Sequence, residues 1–350
     1  MKILAIETSC DETAIALLEV TGPLEKPEVK VVANEMFSQA KLHEPYGGVY
    51  PNLAKREHEK NLPILLEKIG KPEIDYIAVT TGPGLEPALW TGITFAEKLG
   101  KEWNKPVVPV NHMEGHIYSV LYGTESNLTM PALALLISGG HTELVHVKDF
   151  GDYEILGRTK DDAVGEAFDK VARMLGLPYP GGPEISKLAK EARNRNLKPD
   201  FKFPRPMIHS KDLNFSFSGL KTAVLYKIKD LTQPSPSQGE GRAMDNELRE
   251  KIAREFEDAV AEVLIEKTRK AIEMLDIKTL IVAGGVSANK YLRERFQGLN
   301  DCLVLFPTPL LSTDNAIMIG LASHVRTKRD PTILSNQELL KADGNLSLNN

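Results

Sequence analysis

Residues 1–20, MKILAIETSCDETAIALLEV, decide the fold when set beside residues 132–147, ALALLISGGHTELVHV. In the first stretch an apolar run at 2–7 meets a polar turn, Thr8-Ser9-Cys10-Asp11-Glu12, and a second apolar run at 13–20. The other stretch repeats that order: 132–137, the turn Ser138-Gly139-Gly140-His141, then 142–147. Short apolar runs bounded by turn residues predict buried strands. A third strand is expected after each pair, at 29–37 and 153–159. In the first half these precede a helix at 51–69, with Leu53, His58, Leu62, Leu65, Leu66 and Ile69 at helical spacing. A strand at 75–80, a helix at 86–103, a strand at 107–110 and a helix at 112–122 follow. The second half continues with helices at 163–175, 184–195 and 248–275, the last long enough to bend. It ends with a strand at 278–283, a helix at 288–297, a strand at 303–306 and a helix at 315–328. The repeated order predicts two similar α/β lobes facing each other across a cleft, each offering its first strand–turn–strand loop to it. The expected first lobe is 1–111, completed by the helix 315–328; the second is 112–314. Residues 232–246, TQPSPSQGEGRAMDN, read as a flexible surface insertion, and 331–350 as a tail without chemistry.

Composition narrows the class. A chain of 350 residues suits about two domains. Apolar residues at 42% and charged residues at 26% exclude disordered, collagenous and coiled-coil proteins. A net charge of −5 excludes a strongly basic nucleic-acid coat protein. Any contact with RNA must use local patches, and Arg193, Arg195 and Lys198 or Arg326, Lys328 and Arg329 are the clusters available. Both read first as solvated surface. Two cysteines, Cys10 and Cys302, exclude a disulfide framework and a Cys-rich zinc site. Glu7 comes too early for a signal peptide, and no run approaches the ~18–20 apolar residues of a membrane span. A cytoplasmic protein is expected.

The sharpest chemical signal is His112-Met113-Glu114-Gly115-His116. Histidines four apart on a helix share a face and can bind one transition metal. Glu114 points away from that face, and the string is not the H-E-x-x-H of metallopeptidases. The bland alternative is a helix start with two surface histidines. A third ligand must come from elsewhere, and Asp314 in Leu311-Ser312-Thr313-Asp314-Asn315-Ala316 is the candidate. Asp314 also reads as a helix N-cap. Asp11 and Glu12 put adjacent carboxylates in a turn that can orient a water, a metal or an amine, or else form an exposed acidic tip. Ser138-Gly139-Gly140-His141 and Ala283-Gly284-Gly285-Val286-Ser287-Ala288-Asn289 each suit close approach of an anion to backbone amides. Glu166 and Asp169, three apart, are expected to face the cleft together. Residues 214–222, NFSFSGLKT, read as a core strand plus turn.

Together the strings IETSCDETA, GPGL, HMEGH, SGGHTEL, DDAVGEAFDKVARMLGLPYPGGP, FSFSGLKTA, AGGVSAN and STDNAIMIG resemble one family, in its order, over about residues 1–326. It is the tRNA adenosine threonylcarbamoyltransferases of the TsaD type, formerly called O-sialoglycoprotein endopeptidases, in their bacterial and organellar branch. The resemblance implies an actin/Hsp70/sugar-kinase-like fold, two RNase H-like lobes around a nucleotide cleft. It implies transfer of a threonylcarbamoyl group from L-threonylcarbamoyladenylate to N6 of the adenosine 3′ of the anticodon, in tRNAs reading codons that begin with A, with release of AMP. His112, His116 and Asp314 match the family's ligands for one divalent metal, Fe2+ with Zn2+ as the alternative. Leu136, Ile137, Ser138, Gly139 and Gly140 match its phosphate and substrate loop. Asp169, Gly182 and Asn289 match residues around the adenylate, with Glu184 adjacent, and Asp11 and Glu12 match its catalytic acidic turn. The implied partners are a paralogous inactive subunit of the TsaB type, docked through the first lobe, and a small ATPase of the TsaE type. Competing classes are a metallopeptidase, a small-molecule kinase on the same fold, and an inert scaffold. The missing H-E-x-x-H, the histidine pair and the intact ligand positions argue against each in turn.

Overall fold

A computed structural model describes residues 1–232, 244–335 and 339–349. The first half contains β1 (Lys2–Glu7), β2 (Glu12–Thr21), β3 (Glu28–Ser38), α1 (Ala40–His43), α2 (Pro51–Ile69), β4 (Tyr76–Gly82), α3 (Glu86–Trp103), β5 (Val107–Asn111) and α4 (His112–Tyr118). The second contains β6 (Ala132–Ile137), β7 (Thr142–Asp149), β8 (Asp152–Arg158), α5 (Val164–Met174), α6 (Gly181–Asn194), α7 (Ser218–Thr232) and α8 (Asn246–Leu275). It closes with β9 (Thr279–Ala283), α9 (Lys290–Gln297), β10 (Leu303–Leu305) and α10 (Ala316–Arg329).

The two halves form two sheets of one topology. Their orders are β3-β2-β1-β4-β5 and β8-β7-β6-β9-β10. In each, the first strand pairs antiparallel with the second and parallel with the fourth. The central strands β1 and β6 are apolar without alternation because both faces are covered: Ile3 to Ile6 and Ala132 to Ile137 are fully buried. Leu4 and Ile6 pack with Leu62 and Leu65 of α2 and Ile93 of α3. Leu135 and Ile137 pack with Phe168 of α5 and Phe256 of α8. The remaining faces share one core, where Ile3 and Ala5 meet Met113 and Ile117 of α4, Ile317 and Met318 of α10, and Ala134 and Leu136. Helix α10 lies flush on β1 and β2, since a Cβ on Gly320 would fall 2.3 Å from Leu18 Cδ1.

Several expectations change. Residues 214–222 are not a strand: Phe215 makes an isolated bridge to Thr159, and α7 begins at Ser218. The cause is distant in sequence. The Asp161 carboxylate accepts from the amides of Phe217 (2.8 Å) and Ser218 (3.2 Å), so it caps α7. The helix expected at 112–122 ends as α4 at Tyr118 and tightens into a single 3-10 turn, Ser119–Leu121. The helix expected at 288–297 starts later, after a 3-10 turn at Gly285–Ala288, and Asn289 caps it. The tail is integrated. Asp343 donates its amide to the Thr81 carbonyl (2.9 Å), Gly84 donates to Gly344 (3.2 Å), and Leu348 is buried. Of the insertion 232–246, residues 233–243 lie outside the described residues; Asp245 caps α8 through the Leu248 amide at 2.8 Å. Among the described residues no helix is long and apolar enough to cross a membrane.

Candidate functional site

Asn111 ends β5 and caps α4, its Oδ1 accepting from the Met113 amide at 2.8 Å. Glu114, at the third helical position, reaches back to the backbone amide of Asn111. That reciprocal pair is a capping box. It explains the glutamate between the histidines as part of a helix start. His112 and His116 then share the other face of α4. Asp314 precedes α10, whose cap is Asn315, with Oδ1 accepting from the Met318 amide at 2.9 Å. The cap and ligand readings of Asp314 thereby separate: its neighbour caps, and its own carboxylate faces the histidines. Gly115 lets the two helices close, as a Cβ there would lie 3.1 Å from Met318 and Ile319.

The three side chains converge. His112 Nε2 lies 3.3 Å and His116 Nε2 3.2 Å from the same Oδ1 of Asp314. One ligand atom from each lies within 4.8 Å of the others. The histidines are only 6% and 0% exposed, so the surface-histidine reading fails. Behind His112, its Nδ1 faces Glu7 Oε2 at 3.2 Å and Ser9 Oγ at 3.1 Å. Glu7 is fully buried and accepts from Thr80 Oγ1 at 2.6 Å and from the Ser9 amide. A carboxylate on one imidazole nitrogen fixes the tautomer and aims the other nitrogen at a metal. Burial works against charge on His112, but Asp314 and Glu7 together hold its pKa well above the usual imidazole range. Burial pushes His116 the opposite way. Desolvation opposes ionisation of Asp314 too, but His112 and His116 outweigh it and hold the carboxyl far below its ordinary range. Both nitrogens of buried His116 lack hydrogen-bond geometry to any described residue. Two imidazoles, one carboxylate and an orphaned buried nitrogen fit a divalent ion.

The other predicted residues divide. Asp11 is buried, and Glu12, the first residue of β2, accepts from Ser38 Oγ at 3.3 Å. Burial, then the charges of Asp11 and Asp314, push the Glu12 pKa well up. Ser138 opens the turn with its Oγ accepting from the His141 amide at 3.0 Å, and the Cα of Gly139 and of Gly140 face open space. The turn rests on Gly284, at φ +91°, where a Cβ would lie 2.5 Å from the Ile137 carbonyl. Leu136 and Ile137 turn their side chains into opposite cores, so only their main chain is open to a ligand. Asp169 Oδ1 accepts from the Gly181 amide at 2.7 Å, beside Gly182, whose Cα is open. Burial raises the Asp169 pKa. Glu166 pairs with Lys170 at 2.8 Å instead of joining Asp169. Glu184 is half-buried on α6, two residues before Ser186. Asn289 donates both amide protons within the chain, to Ser186 Oγ and Glu257 Oε1, each at 2.8 Å.

Two residues outside the sequence assignment belong here. His141 sits within the electrostatic reach of His112, His116 and Asp314; burial, then the two histidines, lower its pKa to about 4. Its signal was the histidine closing the SGGH turn. Tyr179, in the connection from α5 to α6, has its pKa raised by burial and then by the charges of Asp11 and Asp169. The basic clusters fare differently. Arg193 is bound to Glu257 (2.5 Å) and Asp258 (2.6 Å), and Arg195 to Glu250 (2.8 Å).

The sequence profile of the family described as "TsaD: tRNA N6-adenosine threonylcarbamoyltransferase" matches residues 30–321. The chain belongs to that family. A tRNA N6-adenosine threonylcarbamoyltransferase of Thermosipho africanus is 44% identical over 357 residues, 99% of this chain and 100% of the relative. The one from Chromobacterium violaceum is 46% identical over 341 residues, 94% of each chain. Membership makes the chain an acyltransferase that modifies tRNA at N6 of adenosine. Among solved structures, the activator of the 2-hydroxyisocaproyl-CoA dehydratase from Clostridium difficile, with bound ADPNP, has a TM-score of 0.52 at 12% identity, covering 97% of this chain and 100% of its own. HypF from T. kodakarensis reaches 0.60 at 12%, covering 96% and 50%. A ROK family protein from Streptococcus pneumoniae reaches 0.52 at 13%, covering 95% and 100%. At such identities they speak for the fold, which is of the actin/Hsp70/sugar-kinase type.

Proposed function

We propose that the donor is L-threonylcarbamoyladenylate, and that the acceptor is the adenosine 3′ of the anticodon in tRNAs reading codons that begin with A. The N6 amine attacks the carbamoyl carbon, a C–N bond forms, the amine loses a proton, the C–O bond to phosphate breaks, and AMP departs. The donor is already activated, so the chain must align the reactants and stabilise developing charge. The backbone amides of Gly139 and Gly140, in the turn that continues from Leu136 and Ile137, receive the phosphate, while Ser138 shapes that turn by donating its own amide to the His141 carbonyl at 2.9 Å. The open Cα atoms of Gly139 and Gly140 support this role. Asp169, Gly182, Glu184 and Asn289 hold the adenosine of the donor. Asp11 orients the attacking amine or accepts its proton. Glu12 is the alternative residue for that role, although burial and the charge of Asp11 shift it toward its neutral form.

His112, His116 and Asp314 hold one divalent ion per subunit, Fe2+, with Zn2+ as the alternative for the same donor set. When bound, such an ion supplies Lewis-acid stabilisation of charge on oxygen and open positions for a phosphate or threonyl oxygen. The single observation that carries the reading is the convergence of both imidazole Nε2 atoms on one Asp314 oxygen. The enzyme works in the cytoplasm with an inert paralogous subunit of the TsaB type and a small ATPase of the TsaE type. Ile64 on α2 and Trp90 on α3, both exposed, support docking through the first lobe.

Nucleoside mass spectrometry tests the reading. The chain, its partners and the adenylate donor are incubated with tRNA lacking the modification. Threonylcarbamoyladenosine appears at the position 3′ of the anticodon if the reading holds; unmodified tRNA from a complete reaction refutes it.

A further inference from the structure

Two aromatic rings on the segment that follows β3 are largely exposed. Tyr46 is 62% exposed and Tyr50 51%. Their rings stack on each other, centroids 5.7 Å apart and planes 24° from parallel. The segment carrying them is tied down at both sides. The Tyr50 amide donates to His43 Nδ1 at 3.3 Å, and buried His43 pairs through Nε2 with Gln39 Oε1 at 3.2 Å. The Gln39 amide donates to the Asp11 carbonyl at 2.9 Å, so the segment is rooted in the acidic turn. From the other lobe, Arg173 donates to the Gly47 carbonyl. Arg173 follows Asp169 by one helical turn on α5. Gly47 is at φ +66°, and a Cβ there would lie 2.8 Å from Arg173 Nη2, so glycine lets the guanidinium seat. The tyrosine pair therefore stands on the bridge between Asp11 and Asp169.

We propose that Tyr46 and Tyr50 are a stacking platform for an unpaired base of the tRNA loop, adjacent to the adenosine being modified. The inference rests on the transferase reading. For N6 to enter the cleft, the target base must leave its stack, and its neighbour loses a stacking face. A flat aromatic surface restores that face whatever the base, and single-stranded RNA is held in this way. Stacking also suits this chain's charge, since a neutral ring face attracts a base beside acidic Asp11 and Glu12, where a phosphate is repelled. Tyrosine combines a ring face with a hydroxyl that tolerates water, so the pair stays soluble when no RNA is bound. Phe37 and Leu42, each 41% exposed and near in sequence, make contact with a partner protein the rival explanation.

The test compares wild type, a Tyr46→Ala/Tyr50→Ala double variant and a Tyr46→Phe/Tyr50→Phe double variant in the complete reaction with saturating partner subunits. Each is also measured for direct tRNA binding. The alanine variant is expected to raise the KM for tRNA and the Kd roughly tenfold or more, with kcat and the KM for the donor unchanged. The phenylalanine variant keeps wild-type values. On tRNA with an abasic site next to the target adenosine, the alanine penalty disappears. Unchanged tRNA binding by the alanine variant overturns the proposal, as does equal loss in the phenylalanine variant. So does loss that tracks weakened assembly with the partner subunit. A wild-type reaction without product refutes the transferase reading instead, and the binding measurements still decide the tyrosines.

Discussion

Glu7 is fully buried with no lysine or arginine paired to it among the described residues, and it persists because every oxygen has work: Thr80 and Ser9 donate to it, and His112 Nδ1 faces it. Removing its charge while keeping its shape should loosen the tautomer of His112 without disturbing β1. Glu7→Gln is expected to weaken metal binding about 10–100-fold, measured by calorimetric titration of the full chain with Fe2+ or Zn2+. Unchanged affinity would show that Glu7 does not position His112. Asp11 has a different role. Asp11→Ala is expected to leave donor binding intact and lower single-turnover transfer about 100-fold or more. Lost donor binding with normal transfer would reassign it. At this scale the sequence carried the histidine pair, because helical spacing alone puts positions four apart on one face. It left Asp314 ambiguous, because an aspartate before an apolar helix is equally good as a cap; only the Asn315 hydrogen bond separates the two. It left Glu7 unremarked, because a carboxylate ending a strand is ordinarily solvated, and its burial depends on Thr80 from the neighbouring strand.

Helix α10 links the lobes' shared core to the candidate centre and carries His324, buried with neither ring nitrogen hydrogen-bonded among the described residues. Burial, then Lys328 and the chain's amino terminus, lower its pKa from 6.5 to about 4. The unfolded chain binds a proton there at higher pH than the folded one. The contribution to stability is thus whole above the unfolded value and falls as pH drops toward the folded value, by about 2–3 kcal/mol. Denaturant unfolding at about pH 7 and about pH 5 checks it. His324→Leu is expected to lose less stability than wild type over that interval, and an equal loss would place the acid sensitivity elsewhere. Most elements were legible from their apolar period. Helix α7 was not, because its start is set by Asp161, more than fifty residues before it, whose carboxylate stands in for a local cap. The integrated tail escaped notice for a similar reason: its hydrogen bonds to Thr81 and Gly84 leave no periodic trace.

For the whole molecule, the duplicated order of strands and helices was the most legible feature, and the two sheets share one topology. The charge pattern was less so. Arg193 looked like surface charge available to RNA, yet it neutralises fully buried Glu257, which also accepts from Ser186 and Asn289. Arg193→Ala is expected to destabilise the fold by about 3 kcal/mol, read by denaturant unfolding. The salt dependence of tRNA binding should not change, because that cation is not free to meet phosphate. A changed salt slope with unaltered stability would reverse the assignment.

The central claim is that one divalent ion, held by α4 and by the turn before α10, far apart in sequence, serves the transfer to tRNA. Threonylcarbamoyladenosine formed by a His112→Ala/His116→Ala double variant, alongside its metal content and its circular dichroism, tests this most directly. The account predicts a folded protein that retains no stoichiometric metal and makes no modified nucleoside. Modification at the wild-type rate by that metal-free variant would contradict it.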